Sequence, residues 1–388
     1  MQRLAQIIQD AADAMYMPWT VGLLLALGVF FTLRFRFVQF RRFPEALRTA
    51  VATQQADAGG SLTPFQAFMT ALGATIGTGN IAGVATAIIR GGAGALVWSC
   101  YGLVATSIKF AEASLGSKYR IPAGDQTRSG PMYYLRDGLG SPGLAWVYAL
   151  IAGVGCLLTT PFTQPNSIAV AVDGQFKAHR LALGAWAVEP LGVTVDLNRL
   201  AIGAVLAVLT WLVVIGGVRS IGRAAEKLSP LKVGLYLIGG LAVIVTHAGQ
   251  IPEVLAMVFR EAFSREAGQG TAEGAAVWIA LRYGLARGAY ANEAGYGTAA
   301  VAYGTAKSNR PDQQGLNAVV EVFIITFITS TISAMSILLT GAWRSGAESS
   351  AAVAEAFEAA MPHVGGWMLA AAGFLFGYTT LMGGALSG

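Results

Sequence analysis

The chain has 388 residues, of which 54% are hydrophobic and 12% charged, against roughly 25% charged in soluble domains. That composition excludes an ordinary water-soluble globular protein and commits most of the chain to a bilayer. The formal net charge of +5 needs no nucleic-acid partner, because lysine and arginine gather in loops between apolar runs, as retention of positive charge on the cytoplasmic side requires.

A membrane span needs roughly 20 mostly apolar residues. Runs of this kind lie near 15–33, 65–90, 94–115, 143–172, 199–217, 229–247, 275–304, 316–343 and 364–383. The first reads as a retained helix: Asp10 and Asp13 precede it, and RFRFVQFRR follows with no small-residue cleavage site. With the N terminus outside, the inward loops 34–64, 116–142, 218–232 and 304–315 hold more than half of the 26 lysines and arginines, which favours that orientation in the cell membrane. Of the outer connections, 173–198 is expected to contain a small surface helix. The segment 247–274 has an apolar middle too short to span and is expected to form an interfacial helix. Cys100 and Cys156 stand singly, and His179, His247 and His363 lie far apart, so neither a disulfide framework nor a transition-metal site is indicated.

Two spans differ from the rest. PFQAFMTALGATIGTGNIAGVATAII is interrupted by Gly73, Gly77, Gly79 and Gly83, and AAVWIALRYGLARGAYANEAGYGTAAVAYG by Gly284, Gly288, Asn292, Glu293, Gly295 and Gly297. Unpaired backbone groups are expensive in lipid, so an unwound helix persists only where water, ions or a ligand take over its hydrogen bonds. Corresponding interruptions in two halves of a chain point to a binding site near the bilayer midplane. With 15–33 as an extra N-terminal helix, these are the first and sixth core helices, spaced as in an inverted repeat of five plus five. The reading is one all-α integral membrane domain, with a first repeat over 65–247 and a partial second repeat over 275–388. Close helix packing is the competing explanation for the glycines. A phosphate-binding loop is excluded, since no strand precedes the segment and no GK[ST] follows Gly79. GxSxG and HExxH motifs are absent, which argues against an enzyme.

These stretches, together with KFAEA, GPMYYL, QPNSIA, GLARGAYANEAGYGTA and LLTGAW, resemble the alanine/glycine:cation symporters, also called sodium:alanine symporters, from about residue 15 to 383. The resemblance implies an inverted-repeat carrier of the amino acid, polyamine and organocation superfamily. Its activity would be uptake of a small neutral amino acid, alanine or glycine, coupled to sodium or protons and needing no other cofactor. Members of the family continue beyond FLFGYTTLMGGALSG with two more helices, so the second repeat is expected to be truncated here. A proton-coupled or broader carrier, and a membrane protein that binds an amino acid without moving it, stand as alternatives.

The chemistry of a zwitterion then nominates residues. Free N–H groups near Gly77, Thr78, Gly79 and Asn80, at the N terminus of a half-helix, suit a carboxylate. Carbonyls near Ala74 and Gly77 suit sodium, a hard cation. In 143–172, Thr160, Gln164 and Ser167 share one helical face, with Asn166 on another. By resemblance, Phe162 closes an aromatic ring over the substrate, Gln164 bonds its polar end, and Thr379 and Thr380 complete the sodium site opposite the first core helix. Asn292, with Gly295 beside it at the second interruption, either bonds the substrate or stabilises the broken backbone. Glu293, Arg282 and Arg287 read as scaffold, Lys109 and Glu112 as a pair or as side chains reaching the inner surface, and Glu321 as a candidate for cation or proton coupling.

Overall fold

The glycine-rich interruptions organise the helices around them. The computed structural model describes residues 15–51, 59–124, 126–178, 181, 183–188, 193–263, 275–347 and 349–387 and is about 82% helical. The first helix, α1, spans Val21–Arg34. The next long element, α2 (Pro64–Thr75), starts on a capping box: Thr63 Oγ1 accepts from the Gln66 N–H at 3.1 Å and Gln66 Oε1 accepts from the Thr63 N–H at 3.2 Å. Pro64 at the first helical position needs no partner for a missing N–H. The chain resumes in a π-helical turn, Gly79–Gly83, that leads into α3 (Val84–Gly91), and the axis bends by 50° at the break.

There follow α4 (Gly102–Lys118), α5 (Pro142–Leu158), α6 (Thr160–Ala178), α7 (Leu197–Val214), α8 (Gly217–Thr246) and α9 (Ile251–Phe263). Beyond them lie α10 (Ala275–Asn292), α11 (Thr298–Gly304), α12 (Pro311–Leu339), α13 (Ser350–Ala360) and α14 (Gly365–Ser387). Among the described residues, five helices are long and apolar enough to cross a membrane, and the bent α2–α3 pair makes a sixth. The other expected crossings are shorter or interrupted: α1 has 14 residues, α4 carries Lys109 and Glu112 along its length, and the 275–304 run divides after Asn292.

Burial separates centre from periphery. The apolar windows of α12 and α14 are 72% and 61% buried, those of α5–α6 and α7 only 6% and 11%. The interior helices approach closely through small residues: a Cβ added to Gly315 on α12 would lie 2.7 Å from Phe110 on α4, and one added to Gly116 on α4 would lie 2.5 Å from Ala300 on α11.

Two expectations change. The outer connection 173–198 carries an antiparallel hairpin, Ala185–Val188 with Val193–Asp196, rather than a surface helix; AWAV and VTVD alternate as strands do. The inward loop placed at 218–232 is not a loop, because α8 runs unbroken from Gly217 through Pro230. The expected helix within 247–274 forms over Ile251–Phe263. It is anchored where Glu261 Oε2 accepts from the Ala93 N–H at 2.8 Å and the Ala262 carbonyl accepts from Trp98 Nε1 at 3.2 Å.

Candidate functional site

At the first break the helical hydrogen bonds are redirected. In an unbroken helix the Gly77 N–H would serve the Gly73 carbonyl and the Asn80 N–H the Ile76 carbonyl. Instead Gly77 donates to the Thr75 carbonyl at 3.0 Å and Asn80 to the Gly77 carbonyl at 3.1 Å. The freed carbonyls of Gly73 and Ile76 accept from Lys232 Nζ on α8, at 3.0 and 2.6 Å, and the Thr379 hydroxyl on α14 accepts from the same ammonium at 2.6 Å. Lys232 is 0% exposed. The backbone oxygens that meet a positive charge are therefore those of Gly73 and Ile76, each one residue before the expected Ala74 and Gly77. The charge they meet is a lysine. Of the two threonines, Thr379 binds the ammonium, while Thr380 donates to the Gly73 carbonyl at 3.3 Å.

The residues nominated for the substrate separate into groups. Gly77, Thr78, Gln164 and Thr380 converge. A Cβ on Gly77 would lie 2.8 Å from Thr380 Oγ1 and 3.4 Å from the Gln164 amide, and the Thr78 hydroxyl donates to Gln164 Oε1 at 3.0 Å. Gly79 faces the Tyr290 ring on α10, 2.9 Å from where its Cβ would stand. Asn80 braces the turn: its Nδ2 donates to the Thr75 carbonyl at 3.1 Å and its own carbonyl accepts from Ser333 at 2.8 Å, leaving a buried Oδ1 with no partner among the described residues. Phe162 departs from expectation. Its ring is 66% exposed on the outer side of α6 and does not close over this cluster, because two helical steps, about 200°, separate it from buried Gln164.

The second break is held by opposite means. Glu293, Gly295 and Gly297 all take positive φ, at 50°, 95° and 88°, which ends α10 and restarts the chain as α11. The N–H groups of Gly295 and Gly297, free of helical partners, both donate to Glu112 Oε1 on α4, at 2.7 and 3.2 Å, so a carboxylate of the chain occupies the positive end of α11. Asn292 is fully engaged: Nδ2 donates to the Gly288 carbonyl at 2.8 Å, Oδ1 accepts from Thr326 at 3.0 Å, and its carbonyl accepts from Lys109 Nζ at 2.8 Å. Lys109 also pairs with Glu321 Oε1 at 2.7 Å and donates to the Thr75 hydroxyl at 3.2 Å. Tyr303 closes this group by donating to Glu321 Oε2 at 2.9 Å. The expected Lys109–Glu112 pair is replaced by these longer-range partners. Glu293 accepts from Thr298 at 2.9 Å, and the Arg287 guanidinium lies over the Tyr290 ring at 5.7 Å.

Two cavities lie along the first break. One is small and is lined by Thr70, Ala74 and Thr75 of α2, Thr160 of α6, Thr380 and Gly384 of α14, and Glu293 and Glu321. The other is larger and is lined by Thr78 and Ala82, by Asn166, Ser167 and Gln175 of α6, and by Gly366, Leu369 and Gly373 of α14. The same three helical stretches pass from one cavity to the other. In between they meet at Gly77, Gln164 and Thr380, at Gly377, whose Cβ would come 2.6 Å from Ile168, and at the Lys232 ammonium.

The sequence matches the profile of the Sodium:alanine symporter family over residues 1–388. The chain belongs to the sodium:alanine symporter family. It is similar to the sodium/alanine symporter AgcS of Methanococcus maripaludis, 35% identical over 383 residues that cover 94% of this chain and 78% of that one. It is 33% identical to the amino-acid carrier protein AlsT of Bacillus subtilis over 93% of this chain and 72% of AlsT. With the probable sodium/glutamine symporter GlnT of the same organism it shares 31% over 98% and 76%. The protein is thus a multi-pass member of a transporter family, and that family is not one of enzymes.

For this sodium:alanine symporter family member, sequence reasoning missed Lys232 and the capping role of Glu112. The loop count places Lys232 among the cytoplasmic cations, yet the sequence holds a usable signal. Gly222, Ala225, Ser229, Lys232, Tyr236, Gly240 and Val243 recur three or four residues apart and are all buried, so extending the interior stripe of α8 backwards puts Lys232 inside. Glu112 gave no comparable signal, since its partners are backbone groups about 180 residues away.

Proposed function

We propose that the protein is a secondary active transporter that moves a small neutral amino acid, alanine or glycine, together with sodium by alternating access. The observation that carries this reading is the pair of cavities set end to end on α2–α3, α6 and α14, with a thin layer at Gly77, Gln164 and Thr380 between them. A carrier needs such a layer, open to one side at a time. Family membership and relatives named as sodium/alanine symporter and amino-acid carrier support the same reading.

In this reading the substrate sits at the layer. The N–H groups of Gly77 and Asn80 are already bound to backbone carbonyls, and those of Gly295 and Gly297 to Glu112. That narrows the carboxylate-binding donors to Thr78 and Gly79. Gln164, paired with Thr78, turns its amide to the substrate when the hydroxyl is displaced. The layer is tight, since a Cβ on Gly77 would already crowd Thr380 Oγ1 at 2.8 Å, and this favours a small substrate. Residues 65–247 and 275–388 act as inversely related units, with the N terminus outside and the cation-rich loops inside.

Uptake of labelled alanine into proteoliposomes tests this. An inward sodium gradient is expected to drive accumulation above equilibrium, and glycine to compete. Uptake that persists in choline at fixed pH and follows a proton gradient would replace sodium by protons; binding without accumulation would remove transport altogether.

A further inference from the structure

Near the first break, the carbonyls of Gly73 and Ile76 and the Thr379 hydroxyl point at one position from 3.0, 2.6 and 2.6 Å. The Phe376 ring faces the same position at 5.3 Å, where its electron-rich face favours a cation. All of these groups are neutral. Three uncharged oxygens and an aromatic face suit one monovalent positive charge; a divalent ion would call for carboxylates. The three oxygens also match the three N–H donors of an ammonium one to one. Lys232 reaches this position from the middle of α8, with its side chain enclosed, and so joins α2, α8 and α14 at a single atom.

We propose that Lys232 is a resident cation: its ammonium permanently fills the oxygen cup between the first break and α14, the cup does not bind the travelling sodium ion, and removing the ammonium converts the cup into a sodium site. The part concerning travelling sodium rests on the proposed symport; the part concerning the cup does not. An ammonium fixed to the chain supplies the same field to the carbonyl end of α2 that a bound ion would, without dissociating, so the bend at Ile76–Thr78 is held in every loading state.

The test uses the full chain in nanodiscs, as wild type, Lys232→Ala and Lys232→Met, each with and without Thr379→Val. Thermal unfolding is followed while sodium chloride replaces choline chloride at constant ionic strength, with potassium chloride as a control. The lysine variants are expected to gain an upward, sodium-dependent shift of several degrees, because a ligand that binds only the folded state raises its stability. Thr379→Val is expected to abolish that gain. With Lys232 present, Thr379→Val is expected to leave the sodium concentration for half-maximal alanine binding unchanged. A folded Lys232→Ala or Lys232→Met protein with no added sodium response overturns the proposal. So does a shift of about tenfold or more in sodium half-saturation on Thr379→Val alone, and that measurement decides the matter if neither lysine variant folds. Should the wild type fail to transport alanine with sodium, the symport reading falls while the unfolding series still judges the cup.

Discussion

The two broken helices solve one physical problem with opposite charges. At the first break, the orphaned groups that draw a charged side chain are carbonyls, and Lys232 satisfies them. At the second, N–H groups at the start of α11 draw Glu112, beside an Asn292 carbonyl that Lys109 meets at the end of α10. Each side chain matches the sign of the helix end it meets, and each comes from an intact neighbouring helix. The lesson is that the chain carries its own substitutes for ion and carboxylate, so an interruption in the sequence does not by itself reveal where an external ligand binds. The difference lies in what remains open: at the second break the N–H groups of Gly295 and Gly297 are taken by Glu112, whereas the first break has a cavity on either side, one of them also reached by Glu293 and Thr298 of the second.

The largest effect is expected at Lys109, which bonds to both regions. Lys109→Met is expected to leave Glu321 charged and unpaired in the interior, a loss of about 3–5 kcal/mol, seen as a large fall in melting temperature or in the yield of monodisperse protein. The Lys109→Met/Glu321→Gln double variant should recover much of it. A single variant that melts with the wild type would show that the pair carries no weight.

A smaller loss, about 1.5–3 kcal/mol for hydrogen bonds to a charged group, is expected for Glu112→Ala, with Glu112→Gln milder. If the second break is only braced by Glu112, the folded variant keeps its affinity for alanine. A tenfold loss of affinity without a change in melting temperature would instead move the substrate to that break. The smallest effects sharpen the first break. Gln164→Ala is expected to weaken alanine binding about tenfold, near the 1.4 kcal/mol of one good hydrogen bond, whereas Phe162→Ala should stay within about 0.5 kcal/mol. Calorimetric titration of both variants checks this, and equal effects would contradict the orientation of α6.

The breaks themselves were legible in the sequence because glycine and asparagine are conspicuous in apolar runs, and Gly77, Gly79, Gly295 and Gly297 all lie at or beside a redirected turn. Helix positions were legible for the same reason that hydropathy works in membranes. What fills the breaks was not. Lys232 and Lys109 act across separations of 156 and 212 residues, and no local pattern encodes which carbonyl or carboxylate will stand opposite. Counting charges by loop even argued the wrong way for Lys232, since an interior lysine and a cytoplasmic one look alike until the helix is known to continue through Pro230. The hairpin at Ala185–Val188 and Val193–Asp196 was missed because its alternation is short and sits beside residues of mixed polarity.

Lys109 has a mechanical consequence. Its Nζ is bonded at once to Thr75, the last residue of α2, and to the carbonyl of Asn292, the last residue of α10. A displacement that parted those two ends would take from the ammonium one of its neutral acceptors and leave it with Glu321 and the other in a buried interior. The two broken helices are therefore pinned together at one buried atom, and under the proposed alternating access the other helices would have to turn about it.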